Sequence, residues 1–190
     1  MKNFKALEIG SMFWVYGTLA IVSMIFDFLT YRNPFGSWAA SHFPSITQCF
    51  LGALFVVFYI VITSFLTRFL KWASELEKVF RQILSPFSHL QIVLLALLSG
   101  ITEEWFFRGV VMSHFGLMLS AIFFGLCHLI PAPRLWVWSV IGTLMGLILG
   151  LIVQQTHSLW LASFIHIAIN GILLWKLNRS AYQRPALSNF

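Results

Sequence analysis

Two adjacent carboxylates, Glu103 and Glu104, lie in an otherwise apolar stretch of sequence, Ile92 to Met112. The whole chain of 190 residues has only six acidic residues. A charge at the centre of a membrane helix is disfavoured by about 2.5 to 3.5 kcal/mol, so such residues usually face a protein interior or a wet cavity. Arg108 follows Glu104 by four positions, on the same helix face, and a purely structural ion pair would explain Glu104. Because that pair leaves Glu103 unpaired, Glu103 is a candidate for acid–base chemistry.

Two histidines also lie within apolar runs. Phe124 precedes His128 by four residues, and Asn170 follows His166 by four, so each pair shares a helix face. A single histidine in a membrane helix is more often a packing residue than a catalyst. Two histidines, an asparagine and two glutamates in three successive regions of a small chain instead indicate a site. The remaining histidines, at or near the ends of predicted helices, are interpreted as structural: His42, His89, His114 and His157.

Composition shows which elements must position these residues. The chain is 59% hydrophobic and 9% charged, which is typical of an integral membrane protein and not of a soluble domain. Apolar runs of about 20 residues in a bilayer must be helices, since no water is present to satisfy the backbone. The prediction is an all-α, polytopic bundle forming a single membrane domain, 1–190, with a motif-bearing core at about 92–176. About six spans are expected: Ser11 to Thr30, Thr47 to Phe69, His89 to Met112, Phe115 to Leu129, Leu135 to Val153, and Leu159 to Leu177.

Charge and proline placement support this segmentation. With six spans, ten of the twelve basic residues fall on one side of the membrane and Arg32 on the other, so the positive-inside rule predicts cytoplasmic termini. The net charge of +6 is therefore a topology signal, and no nucleic-acid partner is expected. All six prolines fall outside the predicted spans, as expected if they mark helix ends. The segment from Thr67 to Phe87 alternates apolar and charged residues, which indicates either an amphipathic surface helix or a simple connector.

The polar residues form three motifs. They are Glu103-Glu104-x-x-x-Arg108, Phe124-x-x-x-His128 and His166-x-x-x-Asn170. Their order and separation resemble the CAAX-protease and bacteriocin-processing family of intramembrane glutamate endopeptidases, also called the CPBP or Abi family. The resemblance covers about Leu94 to Trp175, less than half of the chain.

The resemblance implies catalytic roles for six residues. Glu103 and His128 would activate a water molecule, while His166 and Asn170 would form the oxyanion hole. Glu104 and Arg108 would orient the first motif, and Phe124 would pack around the site. The chemistry agrees, because peptide hydrolysis needs a base and oxyanion donors, and desolvation makes a carboxylate a better proton acceptor.

Other protease chemistries fit less well. No histidine precedes a glutamate, as the HExxH zinc motif requires, Asp27 is the only aspartate, and no serine motif lies in a span. Two histidines and a glutamate could still hold a metal ion, although no metal or cofactor is predicted. A non-enzymatic immunity factor or scaffold and a proton-coupled transporter remain as alternatives from other classes.

The sequence leaves two points undetermined: the depth of the site in the membrane and the identity of the substrate. Glu103 lies about 20 Å from the start of its predicted span, whereas His128 lies close to a predicted cytoplasmic turn. Glu103 and His128 can come together only if the turn lies below the membrane surface or if the helices are tilted or broken near Gly100 and Gly109. The expected substrate is a membrane-anchored protein or peptide. The expected location is a bacterial cytoplasmic membrane, where the chain would be a multi-pass protein in contact with lipid.

Overall fold

The computed structural model describes residues 9–84, 87–129 and 135–182, and every regular element in these ranges is helical. The predicted all-α class is confirmed. The elements are α1 (Ile9–Tyr31), α2 (Gly36–Ala39), α3 (Ile46–Phe69), α4 (Lys71–Ile83), α5 (His89–Glu104), a π-helix (Trp105–Val111), α6 (Met112–Cys127), α7 (Trp136–Thr156) and α8 (Leu159–Tyr182).

Five helical segments in the described ranges are long and apolar enough to cross a membrane. They occupy residues 10–31, 46–69, 89–127, 136–156 and 159–179, so the chain is a multi-pass membrane protein. The residues predicted as the third and fourth spans form the single helical run His89–Cys127. Its 39 residues would extend about 58 Å if straight, nearly twice the thickness of a bilayer core.

Gly116 breaks this long run. Its φ of 81° and ψ of 169° lie outside the helical region and suit a residue without Cβ. Beyond it the chain folds back onto the π-helix, where the Ser120 hydroxyl donates to the Phe107 carbonyl at 2.7 Å. The part of α6 after Gly116 has only 11 residues, so it extends about 16 Å and does not cross the bilayer.

Local sequence signals set several helix boundaries. Ser45 and Ser88 each form a capping box, in which the serine hydroxyl accepts from the backbone N–H of a glutamine three residues later and that glutamine's side chain accepts in return. Pro34 and Pro44 lie in the connections before α2 and α3. The other four prolines, Pro86, Pro131, Pro133 and Pro185, lie outside the described residues.

The helix α4 is amphipathic, as one of the two interpretations of Thr67 to Phe87 predicts. It buries Ala73 and Leu76 and exposes Lys71 and Lys78. It follows α3 directly after Leu70, whose extended backbone separates the two helices.

The helices α5 and α8 approach each other closely at a glycine. A Cβ atom on Gly100 would lie 2.8 Å from the backbone nitrogen of Ile167, closer than real Cβ contacts. Farther along the pair, the Asn178 side chain bonds both backbone groups of Phe87, at 3.0 and 2.8 Å. The two helices are therefore fixed in both register and separation.

Small residues also bring α6 and α7 together. A Cβ on Gly125 would lie 2.6 Å from the Ser139 carbonyl oxygen, and one on Gly146 would lie 3.0 Å from the Cα of Ala121. Such close contacts are typical of helix pairs in membranes, where small residues allow backbones to pack.

We expect Gly100→Ala to lower the melting temperature of the detergent-solubilised protein, because its methyl group would meet the fixed backbone of α8. Overpacking of this kind costs about 1 to 3 kcal/mol. The matched control is Gly17→Ala in α1, where a Cβ would meet nothing within 4 Å and alanine favours the helix. Equal melting temperatures for the two variants would contradict the close α5–α8 contact.

Candidate active site

Glu104 is the most buried of the predicted site residues. Its exposed fraction is 0%, and its Oε1 accepts from Arg108 Nη1 and from His166 Nδ1, each at 2.7 Å. Its Oε2 is buried without a hydrogen-bond partner among the described residues. This one carboxylate therefore joins the end of α5 to the π-helix and to α8.

Arg108 extends the same network towards α7 and α6. Its Nη2 donates to the carbonyl of Gly146, at 3.3 Å, in the middle of α7. Its guanidinium carbon lies 4.5 Å from the centre of the Phe124 ring, within cation–π range. Arg108 lies in the π-helix, a widened form that occurs frequently at functional sites.

Glu103 lies beside this network but is less fully bonded. It is 8% exposed, and its Oε2 lies 3.8 Å from His166 Nε2, too far for a direct hydrogen bond. That oxygen has no hydrogen-bond partner among the described residues.

His128 is half-buried at the end of α6. Its Nδ1 lies 2.7 Å from the carbonyl oxygen of Phe124. Because a carbonyl only accepts, Nδ1 carries a proton, and in the neutral ring Nε2 then has a lone pair. The ring also lies 5.9 Å from that of Trp138, edge to face.

The depth mismatch expected from straight helices is absent. His128 packs against Gly142, whereas Arg108 bonds the carbonyl of Gly146. These two glycines are one turn apart on α7, about 6 Å. His128 reaches this depth because α6 is short and ends beside Gly142, well inside the start of α7. Of the two predicted break points, α5 continues as a helix through Gly100, and Gly109 lies in the π-helix.

Asn170 occupies the next turn of α8 after His166. Its Nδ2 donates to the hydroxyl of Ser99 at 2.8 Å. An amide nitrogen carries two protons, so one N–H remains for another acceptor.

Phe124 lies between the separate motifs. Its ring centre is 4.5 Å from that of His128 and 6.0 Å from that of His166. Four of the six predicted residues thus form one connected group, and His128 is joined to it through Phe124. Asn170 instead bonds Ser99 of α5. The four are Glu103, Glu104, Arg108 and His166.

Sequence reasoning missed a buried anchor beside the site. Asp27 of α1, 1% exposed, accepts from the Ser37 backbone and hydroxyl at 2.8 and 2.6 Å, and from Trp105 Nε1 at 2.9 Å. Trp105 directly follows Glu104, so this carboxylate holds the start of the π-helix against α1 and α2. The signal was available, since Asp27 is a lone acid in an apolar span.

Ser99, which bonds Asn170, was also missed, because a serine in an apolar helix carries no motif. Within the described residues, no group of three or more His, Cys, Asp or Glu side chains is arranged to hold a metal ion.

Comparison with known proteins connects this geometry to a family. Residues 85–172, just under half of the chain, match the family described as type II CAAX prenyl endopeptidase Rce1-like. This range contains all six predicted site residues, and the predicted resemblance to CAAX-protease-like proteins is confirmed for this segment.

A curated relative matches over a similar length. The chain is 29% identical over 92 residues to the uncharacterized protein YpbD of Bacillus subtilis. The match covers 48% of each protein, so the chain spans about half the length of this relative. No solved structure matches the chain significantly.

We expect Arg108→Ala to destabilise the protein strongly, because it would leave the Glu104 carboxylate buried with only His166 beside it. Breaking a buried pair typically costs about 3 to 5 kcal/mol. Arg81 and Glu77 of α4 form an ion pair with the same spacing, but their side chains are 30% and 29% exposed. Arg81→Ala should therefore cost less than about 1 kcal/mol. Thermal melting in detergent measures both, and similar losses would contradict the buried role of Arg108.

Proposed function

We propose that the protein is an intramembrane endopeptidase of the CAAX-protease type, which hydrolyses a peptide bond in a membrane-anchored protein or peptide. The family match of residues 85–172 supports the class of activity. The observation that carries the catalytic assignment is the contrast between the two glutamates. Glu104 Oε1 is held by two donors, whereas Glu103 Oε2 faces His166 at 3.8 Å with no hydrogen-bond partner among the described residues.

In this proposal Glu103 and His128 prepare the attacking water. The unbonded Glu103 oxygen can accept a proton from the water. In the neutral ring, His128 Nε2 carries a lone pair, because the Nδ1–H donates a hydrogen bond to the Phe124 carbonyl. The Glu103 oxygen and His128 Nε2 can therefore each accept from one O–H of the same water molecule.

His166 and Asn170 stabilise the oxyanion. In this role His166 acts as an imidazolium: its Nδ1 donates to the Glu104 carboxylate at 2.7 Å, and its Nε2 donates to the developing negative charge. An imidazolium would also balance the charges of the group, since two carboxylates face one guanidinium. Asn170 contributes the amide N–H that Ser99 does not use.

The reaction then balances in two steps. The water oxygen bonds to the peptide carbonyl carbon, its proton passes to Glu103, and the carbonyl oxygen becomes an oxyanion. The oxyanion next reforms the carbonyl, the carbon–nitrogen bond breaks, and Glu103 returns the proton to the leaving amine. Glu104 and Arg108 take no part in proton transfer and keep His166 oriented.

A non-enzymatic scaffold is the second candidate. The buried bonds of Glu104 to Arg108 and His166 connect three helical elements and would serve packing even without catalysis. Interhelical hydrogen bonds in membranes average only about 0.6 kcal/mol, however, which is small beside the cost of inserting two acids. Glu103 Oε2 in addition makes no hydrogen bond among the described residues.

The proposed location is a bacterial cytoplasmic membrane, and the proposed partners are the bilayer and a membrane-anchored substrate. A prenylated substrate is the first candidate, because the matched family is described by prenyl endopeptidase activity.

The test is cleavage by the purified protein in detergent. Two probes are used. The first is a quenched fluorescent peptide in which a farnesylated cysteine precedes the last three residues. The second is a library of membrane-anchored peptides without a prenyl group. Glu103→Gln should lower the rate by about 10² to 10⁴-fold through loss of the base, and His166→Ala by about 10² to 10³-fold through loss of an oxyanion donor.

Glu77→Gln in α4 and His89→Ala at the exposed start of α5 are the matched controls and should cleave like the wild type. Each reaction is repeated with a chelator. Activity that the chelator abolishes would establish a metal-dependent mechanism in place of the proposed one. If no peptide is cleaved and Glu103→Gln still complements a deletion strain, the protein is a scaffold.

A further inference from the structure

The helices α5 and α8 pack against each other through small residues over one helical turn. A Cβ on Gly100 would lie 2.8 Å from the backbone nitrogen of Ile167, and one on Gly171 would lie 3.5 Å from the Ala96 Cβ. On each helix the two contacting residues are four apart, a spacing that places them on one face. The two helices are therefore close together along the whole of this turn.

A hydrogen bond between side chains lies within this contact. Asn170 Nδ2 donates to Ser99 Oγ at 2.8 Å. Ser99 directly precedes Gly100, and Asn170 directly precedes Gly171. Because the helices pack closely on both sides of the bond, their packing fixes the distance between the hydroxyl and the amide.

The same register leads from this bond to the proposed base. Glu103 follows Ser99 by four residues on α5, and His166 precedes Asn170 by four on α8. Glu103 Oε2 and His166 Nε2 are 3.8 Å apart, so the bonded pair lies one turn from them, about 6 Å along the helices. Side chains of α5 thus hold both proposed oxyanion donors, since Glu104 Oε1 accepts from His166 Nδ1.

The protons of Ser99 determine which end of the amide faces it. Ser99 is 4% exposed, and its hydroxyl donates to the Ala96 carbonyl of its own helix at 3.3 Å. A hydroxyl has a single proton, so Ser99 meets Asn170 with a lone pair. The nitrogen of the amide can donate to that lone pair, whereas its oxygen cannot. The second N–H of the amide is left for another acceptor.

We propose that Ser99 is a positioning residue for Asn170: its hydroxyl accepts one amide N–H and thereby holds the other in place for the oxyanion. This inference rests on the proposed function, because it gives Ser99 a role only if Asn170 is an oxyanion donor. Asn170 is only half-buried, so without this bond its amide is free to rotate and to turn its carbonyl oxygen towards the substrate. A donor that is already oriented needs no rearrangement when the negative charge develops.

Ser99→Ala tests this role, because it removes the hydroxyl and adds no bulk beside Gly100. The matched control is Ser23→Ala in α1, a buried serine whose hydroxyl donates to the Leu19 carbonyl of its own helix at 2.8 Å. With whichever peptide the wild type cleaves, we expect Ser99→Ala to lower kcat by about 10 to 100-fold. KM should be unchanged, since the oxyanion forms only in the reaction itself. The melting temperature should fall only slightly, because one interhelical hydrogen bond contributes little in a membrane.

A double-mutant cycle with Asn170→Ala separates positioning from other roles of the serine. Single-turnover rates are measured with the enzyme in excess of the peptide, so that slow variants stay measurable. Asn170→Ala should lower the rate by about 10² to 10³-fold through loss of an oxyanion donor. Adding Ser99→Ala to it should have no further effect, because no amide is left to orient.

The possible outcomes are distinct. If the wild type cleaves and Ser99→Ala has the kcat of Ser23→Ala, the positioning role is wrong and the proposed function stands. The role is also wrong if Ser99→Ala slows the Asn170→Ala protein as much as it slows the wild type, or if activity falls only in proportion to the melting temperature. If the wild type cleaves no peptide, the proposed function fails and this inference fails with it.

Discussion

The structure depends on the placement of one buried carboxylate. Glu104 is inaccessible to solvent, and a charge in that position without partners would be strongly destabilising. Arg108 and His166 both bond its Oε1, so α5, the π-helix and α8 must meet at this atom. Arg108 then reaches the backbone of Gly146, which brings α7 into the same arrangement. The need to satisfy one charge thus fixes the relative positions of four helical elements.

Close helix packing is the second requirement, because hydrogen bonds of 2.7 Å tolerate little separation between backbones. Gly100 lets α5 approach α8 within one turn of Glu104, and Gly146 lets α7 approach α6 beside its bond from Arg108. In a membrane these contacts cannot rely on the hydrophobic effect, since lipid is as apolar as leucine. Small residues next to polar ones are therefore the means by which this bundle brings its charged groups together.

The sequence predicts the helical class, the apolar segments and the residues that gather around Glu104, because burial cost and helical spacing act locally. It predicts neither the π-helix nor the reversal at Gly116, since these depend on contacts such as that of Ser120 with the Phe107 carbonyl. The expected depth mismatch between Glu103 and His128 arose from assuming full-length spans. Asp27 belongs to α1, which carries no motif, so only the fold brings it to the site.

The two adjacent glutamates are best understood together. Neighbouring side chains on a helix point about 100° apart, so two adjacent residues lie in two different environments. Glu104 faces Arg108 and His166, while Glu103 keeps an oxygen without a close donor among the described residues. A carboxylate that holds helices together cannot also accept a proton freely, because protonation would weaken its bonds to Arg108 and His166. In the proposed mechanism, dividing the two tasks between adjacent residues lets the protonation state of Glu103 change while the structure around it stays fixed.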